Sequence, residues 1–387
     1  MSAIFIDKDR LSPRYLPKKL LHRDQQVRLL NSFYGDILDK PQEVFLRVGQ
    51  VVGGVGTGKT CTVRRFGLKL EEEANKRKIN FNFVYVNCKV DGTRRFVLYG
   101  NMLRKVAPQI ATESLSPEDM LHQLVSFLED RKTYVLLAFD EIDYFLKVSK
   151  ENLIYDMTRL PELRVGEPIP VLGEIFISRD LSHYKRLEPS ELSTLGRGII
   201  DFPKYRYEEI KDILYARVEE AFRSGVLNED IMDFISRYVA SQNGDVRVGL
   251  DLLLHSGYLA ENLGYDRILP DHVRKVIGET NPSITTEDIL DLDENLRLTL
   301  LGLARTLRFQ KTSYARLRDI LQSYKMACEE YRITPKDDID EYIEDLAIRG
   351  LVDIESLTRI GISGGSTEDV ERFLEQIMKR EGLNERA

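Results

Sequence analysis

The stretch VVGGVGTGKTCTVRRF, residues 51–66, holds the residues of this chain best suited to chemistry. It contains the pattern G-x-x-x-x-G-K-[ST], in which glycines let successive backbone N–H groups point at phosphates. The helix expected to follow would present its positive end to the same anion. Lys59 would reach the β- and γ-phosphates, and Thr60 would offer its hydroxyl to Mg²⁺. The pattern predicts a site for ATP or ADP with Mg²⁺, formed by Gly53, Val55, Gly56, Thr57, Gly58, Lys59, Thr60 and Cys61.

A pair of carboxylates, Asp140 and Glu141, ends the apolar segment VLLAFDEID further along the chain. Asp140, at the end of a buried strand, is placed to hold the hydration shell of Mg²⁺ together with Thr60. Glu141 can orient and deprotonate an attacking water. Because two adjacent carboxylates are costly to bury without a cation, the pair indicates a catalytic metal site.

The elements that must position these residues alternate between strand and helix up to about residue 200. FNFVYVNC, TYVLLAFDEID, PVLGEIFIS and GIIDFP predict strands of a parallel sheet, since buried parallel strands are continuously apolar. Beyond that point helical spacing predominates, and the last hundred residues predict three helices followed by a β-ribbon. We predict an α/β nucleotide-binding domain (residues 1–204), a helical lid domain (205–280) and a winged helix-turn-helix domain (281–387).

Composition favours a water-soluble globular protein in a reducing cytoplasm. The chain has 42% hydrophobic and 31% charged residues, and its apolar runs are too short to span a membrane. The N-terminal segment lacks the apolar core of a signal peptide, and three dispersed cysteines form neither a disulfide nor a metal framework. Residues 1–110 carry a net charge of +11, whereas residues 111–280 and 281–387 carry −11 and −7. The basic third is either a phosphate-facing surface or an ordinary solvated surface.

Taken in order, the P-loop, FDEID, ISRDL, the segment GDVRVGLDLL and a C-terminal winged helix resemble the AAA+ ATPases of the archaeal origin-recognition and cell-division-control initiators. The resemblance covers nearly the whole chain. It implies that SPRYLPKKLLHRDQQ forms the adenine pocket, through Tyr15, Pro17, His22 and Arg23. It also implies that Arg247 reaches from the lid to the γ-phosphate, which would make lid closure depend on the nucleotide.

Two positions depart from the pattern of that family. Arg179, in FISRDL, stands where the family usually has an asparagine that positions water. As a catalytic candidate, this longer side chain is able to reach phosphate but is not the same device as the asparagine. Ser190 stands where the family often has an arginine that acts on a neighbour's nucleotide, and the nearby Arg197 is either its substitute or a surface residue. The parts for binding are complete and those for turnover are altered. We therefore predict a tight or slow ATP switch.

By the same resemblance, a helical insertion after the second strand and the winged helix both contact duplex DNA. Arg94 and Arg95 would serve from the insertion, and Arg359 and Gly364 from a wing formed by TRIGISGG. The presumed recognition helix conflicts with this role, because residues 336–345 contain six acidic side chains and one basic side chain, Lys336. We expect DNA binding by the wing and the insertion, with the helix contributing through its N-terminus.

The resulting hypothesis is an ATP-dependent DNA replication initiator, cytoplasmic and associated with the nucleoid, with no membrane partner. It would bind double-stranded origin DNA and recruit the replicative helicase, and a paralogous initiator would bind alongside it. Two alternatives stay open. One is a regulatory P-loop NTPase whose winged helix docks protein, and the other is an AAA+ motor or clamp loader with brisk turnover in a ring.

Overall fold

The computed structural model describes residues 3–149, 151–164, 166–187, 189–196, 198–280 and 285–384. They form two compact units, of which one comprises residues 16–205 and the other comprises residues 206–387 together with residues 1–15. The N-terminal residues therefore group with the C-terminal unit, whereas the sequence assigned them to the nucleotide-binding domain. In the described part of the chain, no helix is both long and apolar enough to cross a bilayer.

The unit of residues 16–205 is built on a five-stranded parallel sheet with strand order β2-β3-β4-β1-β5. Its strands are β1 (Arg47–Val52), β2 (Phe81–Asn87), β3 (Tyr134–Asp140), β4 (Val171–Ser178) and β5 (Ile199–Asp201). Its helices are α1 (Asp24–Tyr34), α2 (Lys59–Lys76), α3 (Arg95–Val106), α4 (Pro117–Asp130), α5 (Ile142–Val148), α6 (Leu153–Thr158) and α7 (Pro189–Leu195). The predicted parallel sheet and its strands are confirmed.

The central strands are buried because both faces of the sheet carry a hydrophobic core. Along β3, Leu137 and Phe139 enter one core while Leu136 and Ala138 enter the other. This alternation explains why the strand reads as a continuous apolar run. It also brings the polar residues at the carboxyl ends of β1 and β3 to one edge of the sheet, where ligands of open α/β sheets bind.

The other unit contains a helical part and a winged-helix part. The helical part consists of α8 (Tyr207–Ala221), α9 (Glu229–Ser241), α10 (Val246–Asn262) and α11 (Pro270–Thr280). The second part consists of α12 (Thr286–Leu290), α13 (Glu294–Gln310), α14 (Leu317–Tyr331), α15 (Ile339–Ile348), the antiparallel ribbon of β6 (Val352–Ser356) and β7 (Arg359–Ile362), and α16 (Thr367–Asn384). Side chains of α13, α14, α15 and α16 share one core with the ribbon.

Side-chain caps explain where several of these helices begin. Asn228 accepts the backbone N–H of Ile231 at the start of α9, and Asp245 accepts that of Arg247 at the start of α10. Such caps satisfy N–H groups that have no partner inside the helix. From the sequence, Thr334 is a plausible cap of the acidic helix and Pro335 would lie in its first turn, but this prediction is wrong. The helix α15 begins only at Ile339.

Residues 3–15 pack along α8 and α10. The N–H of Ile6 donates to the carbonyl of Ala221 at 2.8 Å, and the ring of Phe5 lies 4.9 Å from that of Phe222. In addition, the hydroxyl of Tyr15 donates to Glu220 at 2.8 Å. These contacts explain why the N-terminal segment belongs to this unit although it precedes the sheet in the chain.

Candidate functional site

The segment between β1 and α2 has the backbone of a phosphate-binding loop. Gly56 and Gly58 have φ angles of 74° and 84°, which residues other than glycine rarely adopt. A Cβ atom at Gly58 would also lie 2.5 Å from the hydroxyl oxygen of Tyr205. The 18-residue α2 begins at Lys59, so its first N–H groups and its positive end face the loop. This geometry fits the phosphates of a nucleotide.

Lys59 lies half-buried under this loop, and its Nζ donates to the carbonyl of Gly54 at 2.6 Å. Burial lowers the pKa of its ammonium group, and the nearby carboxylates of Asp140 and Glu141 oppose that shift. A phosphate anion beside the amine would favour the charged form in the same way. Lys59 is therefore positioned to neutralise phosphate charge.

Asp140 is held at the end of β3 by three hydrogen bonds. Its Oδ2 accepts the hydroxyl of Thr60 at 2.6 Å and the hydroxyl of Tyr85 at 2.7 Å, while its Oδ1 accepts the N–H of Glu141 at 2.8 Å. The structure therefore brings together the two residues predicted as metal ligands. Their hydroxyl and carboxylate oxygens suit Mg²⁺, which prefers hard oxygen ligands and keeps several waters.

Glu141, the predicted base, is engaged in an ion pair. Its carboxylate accepts Nη2 of Arg179 at 2.9 Å, and Nε of Arg179 lies 3.9 Å from Oδ2 of Asp143. Glu141 adopts a left-handed backbone with a φ of 57°, which is uncommon for a non-glycine residue and turns the chain from β3 into α5. The arginine that departs from the family pattern thus contacts the residue that would activate water.

Arg23, which the resemblance assigns to the adenine pocket, contacts the phosphate-binding loop in the structure. Its buried guanidinium donates from Nε to the carbonyl of Thr57 at 2.9 Å and from Nη2 to that of Pro203 at 2.9 Å. The ring centroid of Tyr205 lies 3.6 Å from its Cζ. Arg23 therefore fixes the phosphate-binding loop to the segment before α8.

The other predicted nucleotide contacts are divided between the two units. Pro17 is half-buried, Val55 is exposed, and the carbonyl of His22 accepts Nη1 of Arg23 at 2.8 Å. In the other unit, the ring centroid of Tyr15 lies 4.7 Å from the guanidinium of Arg10 and 4.7 Å from that of Arg217.

Arg247 follows the cap of α10 and forms an ion pair with Asp245 at 2.6 Å. The backbone of Ser190 lies in α7, and Arg197 lies outside the described residues.

The predicted DNA-contacting insertion corresponds to α3, and its two arginines differ. Arg94 is exposed just before the helix. In contrast, Arg95 forms ion pairs with Asp156 at 2.7 Å and with Glu118 at 3.2 Å. Because these carboxylates neutralise Arg95, Arg94 is the better candidate for a phosphate contact.

The wing is formed by β6 and β7, and the predicted ribbon is confirmed. Arg359 opens β7, where its guanidinium forms ion pairs with Asp233 of α9 and Glu355 of β6. Gly364 is buried beyond the end of β7, so it does not contribute to the turn of the ribbon. Lys336 is exposed in the segment before α15. DNA contacts by these residues stay predictions.

The buried side chain of Asp233 binds several other side chains, and the sequence analysis did not identify this residue. Besides Arg359, it accepts the hydroxyl of Tyr207 and Nε of Arg237, the latter at 3.0 Å. Burial alone would raise its pKa, but these hydrogen bonds and charges outweigh burial and hold the pKa of the carboxyl below its usual range. The carboxylate therefore stays ionised and joins the helical part to the wing.

Two family models match the chain. The AAA domain matches residues 47–172, and the Cdc6 AAA+ ATPase-type lid domain matches residues 211–277. With the phosphate-binding loop and the carboxylates of Asp140 and Glu141, these matches define an AAA+ nucleotide-binding fold.

Individual proteins that are similar to this chain in sequence or structure indicate a narrower group within the AAA+ class. An ORC1-type DNA replication protein 2 from Saccharolobus solfataricus is 28% identical over 355 residues, which cover 89% of this chain and 85% of the relative. The ORC1-type protein of Pyrococcus furiosus is also 28% identical, covering 92% and 84%. The crystal structure of Cdc6p from Pyrobaculum aerophilum superposes with a TM-score of 0.82 at 28% identity, covering 98% and 99%. An Aeropyrum pernix ORC1 protein in complex with DNA gives 0.65 at 25% identity, covering 97% and 98%. The chain is therefore similar, over nearly its whole length, to archaeal Cdc6/Orc1-type AAA+ initiators.

Proposed function

We propose that this chain is an ATP-dependent DNA replication initiator that binds double-stranded origin DNA. The observation that carries the proposal is a complete phosphate-binding site in a chain of Cdc6/Orc1 architecture, one relative of which is described in complex with DNA. In this proposal, residues 1–204, 205–280 and 281–387 act as nucleotide, lid and DNA-binding domains. Recruitment of the replicative helicase and adjacent binding of a paralogous initiator are further parts of the proposal.

The nucleotide acts as a conformational clamp, and its hydrolysis is slow. Thr60 and Asp140 would hold Mg²⁺, which would supply charge neutralisation at the phosphates. Lys59 binds the phosphates, and Glu141 serves as the base once it leaves Arg179. Because the ion pair with Arg179 competes with water activation, turnover is weak while nucleotide binding is retained. A contact of Arg247 with the nucleotide stays a prediction of the family resemblance.

The first test is the affinity for duplex DNA as a function of salt concentration, with an origin-derived duplex compared with a scrambled one. Tight binding that prefers the origin duplex, and that is lost in the nucleotide-binding variant Lys59→Ala, would support the proposal. Arg94→Ala should weaken binding and reduce the salt slope by about one, whereas its neighbour Arg95→Ala should change the slope less. Wild-type binding that is absent at moderate salt would contradict the initiator proposal.

A protein-docking P-loop NTPase is the second candidate, and α15 favours it. Five acidic side chains between residues 337 and 344 are exposed or half-exposed. They repel DNA phosphates, and the wing arginine Arg359 is already paired with carboxylates. Nucleotide binding without any duplex affinity would support this candidate.

A further inference from the structure

Tyr85 contacts Asp140 of the predicted metal site from β2, a strand that contains none of the nucleotide-binding motifs identified in the sequence. The strand β2 pairs in parallel with β3, so that Asn87 lies opposite Asp140 and Tyr85 lies opposite Ala138. The hydroxyl of Tyr85 reaches diagonally to Oδ2 of Asp140 at 2.7 Å. It is the second hydroxyl on that oxygen, since Thr60 donates to it at 2.6 Å.

The three donors on Asp140 determine how its carboxylate can act. A carboxylate oxygen has about two acceptor positions, so Thr60 and Tyr85 together fill those of Oδ2. The N–H of Glu141 takes one position on Oδ1 and fixes the plane of the group. Thr60 donates its hydrogen to Asp140, so its oxygen keeps lone pairs for a cation.

We infer that Tyr85 is a positioning residue for Mg²⁺ in the nucleotide site: its hydroxyl holds Asp140 in the orientation in which Asp140 and Thr60 present oxygen atoms to the cation. This inference rests on the proposed function, because it assumes that the nucleotide is bound with Mg²⁺. Hydrogen bonds to metal-binding carboxylates typically change metal affinity by about 10–100-fold. Tyr85 should therefore affect magnesium affinity and not the magnesium-independent affinity for nucleotide.

The hydroxyl can be removed without removing the ring. The guanidinium of Arg64 lies 5.3 Å from the ring centroid of Tyr85, and a phenylalanine would retain that contact. Asn87 donates to the hydroxyl only weakly, at 3.4 Å, so little else depends on it. Tyr99→Phe is a matched control, because the hydroxyl of Tyr99 also donates to an aspartate, Asp156, at 2.7 Å and away from the phosphate-binding loop.

The experiment measures binding of a fluorescent ADP to the full chain while Mg²⁺ is titrated, and again in excess EDTA. For Tyr85→Phe we expect the Mg²⁺ concentration at half-maximal binding to rise about tenfold, with the affinity in EDTA within about twofold of wild type. Tyr99→Phe should leave both quantities unchanged. Melting temperatures check that each variant is folded. Tyr85→Met, which keeps bulk without a hydroxyl, replaces Tyr85→Phe if that variant does not fold.

Two results would overturn the inference. One is an unchanged magnesium midpoint in Tyr85→Phe, and the other is an equal loss of affinity with and without Mg²⁺, which would make Tyr85 a general part of the pocket wall. Failure of the wild-type chain to bind fluorescent ADP is a separate outcome, which would contradict the proposed nucleotide function and, with it, this inference.

Discussion

Replacing Arg179 tests whether this arginine restrains hydrolysis. Arg179 binds the carboxylate of Glu141 at 2.9 Å, and Glu141 must be released from that contact before it can accept a proton from water. Arg179→Asn cannot form the ion pair, and it restores the amide that the resemblance places at this position. We therefore expect the variant to hydrolyse ATP faster than the wild type.

The magnitude follows from the exposure of the pair. The side chain of Arg179 is 46% exposed, so solvent screens the interaction, and its free energy should lie near the value for surface pairs, about 0.5–1 kcal/mol. If that free energy adds to the activation barrier, its removal accelerates turnover by about two- to fivefold. An effect of a hundredfold would require a strongly desolvated pair, which the exposure of Arg179 excludes.

The assay is single-turnover hydrolysis of ATP at saturating enzyme, which separates the chemical step from product release. Arg164→Asn serves as the control, because it breaks a comparable ion pair with Glu129, at 2.8 Å and 36% exposure, away from the site. Glu141→Gln should abolish turnover in both the wild-type and the Arg179→Asn background. A rate that falls in Arg179→Asn, with nucleotide affinity retained, would refute the restraining role and indicate that Arg179 itself contacts phosphate.

Three other substitutions have defined outcomes. Arg23→Lys cannot maintain both carbonyl contacts, to Thr57 of the phosphate-binding loop and to Pro203, so the affinity for ADP should fall by about tenfold in a binding titration. Burial raises the pKa of Glu174 to about 8, so the folded state favours its protonated form. The free energy of unfolding should therefore decline as pH rises from 5 to 8, by about 3–4 kcal/mol, and thermal melts of Glu174→Gln should lack that decline. Asp233→Asn leaves Arg237 and Arg359 without their shared carboxylate and should cost about 2–3 kcal/mol in denaturant unfolding, whereas a surface-like value below 0.5 kcal/mol would contradict its central role.

Features encoded by neighbouring residues could be predicted from the sequence. The phosphate-binding loop is a continuous segment whose glycines, lysine and threonine act at fixed spacing, and the structure places them as expected. The same holds for the buried strands, whose apolar runs reflect burial on both faces. By contrast, the sequence predicts a start of α15 that is too early, because Pro335 is compatible with the first turn of a helix. In the structure the helix begins at Ile339, and this boundary depends on tertiary context that the local sequence does not contain.

Pairings between distant residues could not be predicted, because they depend on strand order and register. Tyr85 meets Asp140 only because β2 lies beside β3 in a particular register, and neither residue's neighbours in the chain indicate this. The signal that was available is weaker: a tyrosine near the carboxyl end of a buried parallel strand lies at the edge where such sheets bind ligands. That rule identifies Tyr85 as a candidate but does not identify its partner.

The ion pairs of Arg359 also could not be predicted from its neighbours in the chain, and they change the expected role of this residue. An arginine beside the turn of a ribbon reads as a DNA contact when only the local segment is considered, yet its guanidinium is paired with Asp233, far away in the chain, and with Glu355. The positive charge that would attract phosphates is thereby neutralised, and the arginine joins the wing to α9. Arg359→Ala should therefore lower the melting temperature while changing the salt slope of DNA binding less than Arg94→Ala does. The reverse ranking of the two slopes would mean that Arg359 leaves Asp233 when DNA binds, and that the ion pair competes with the duplex.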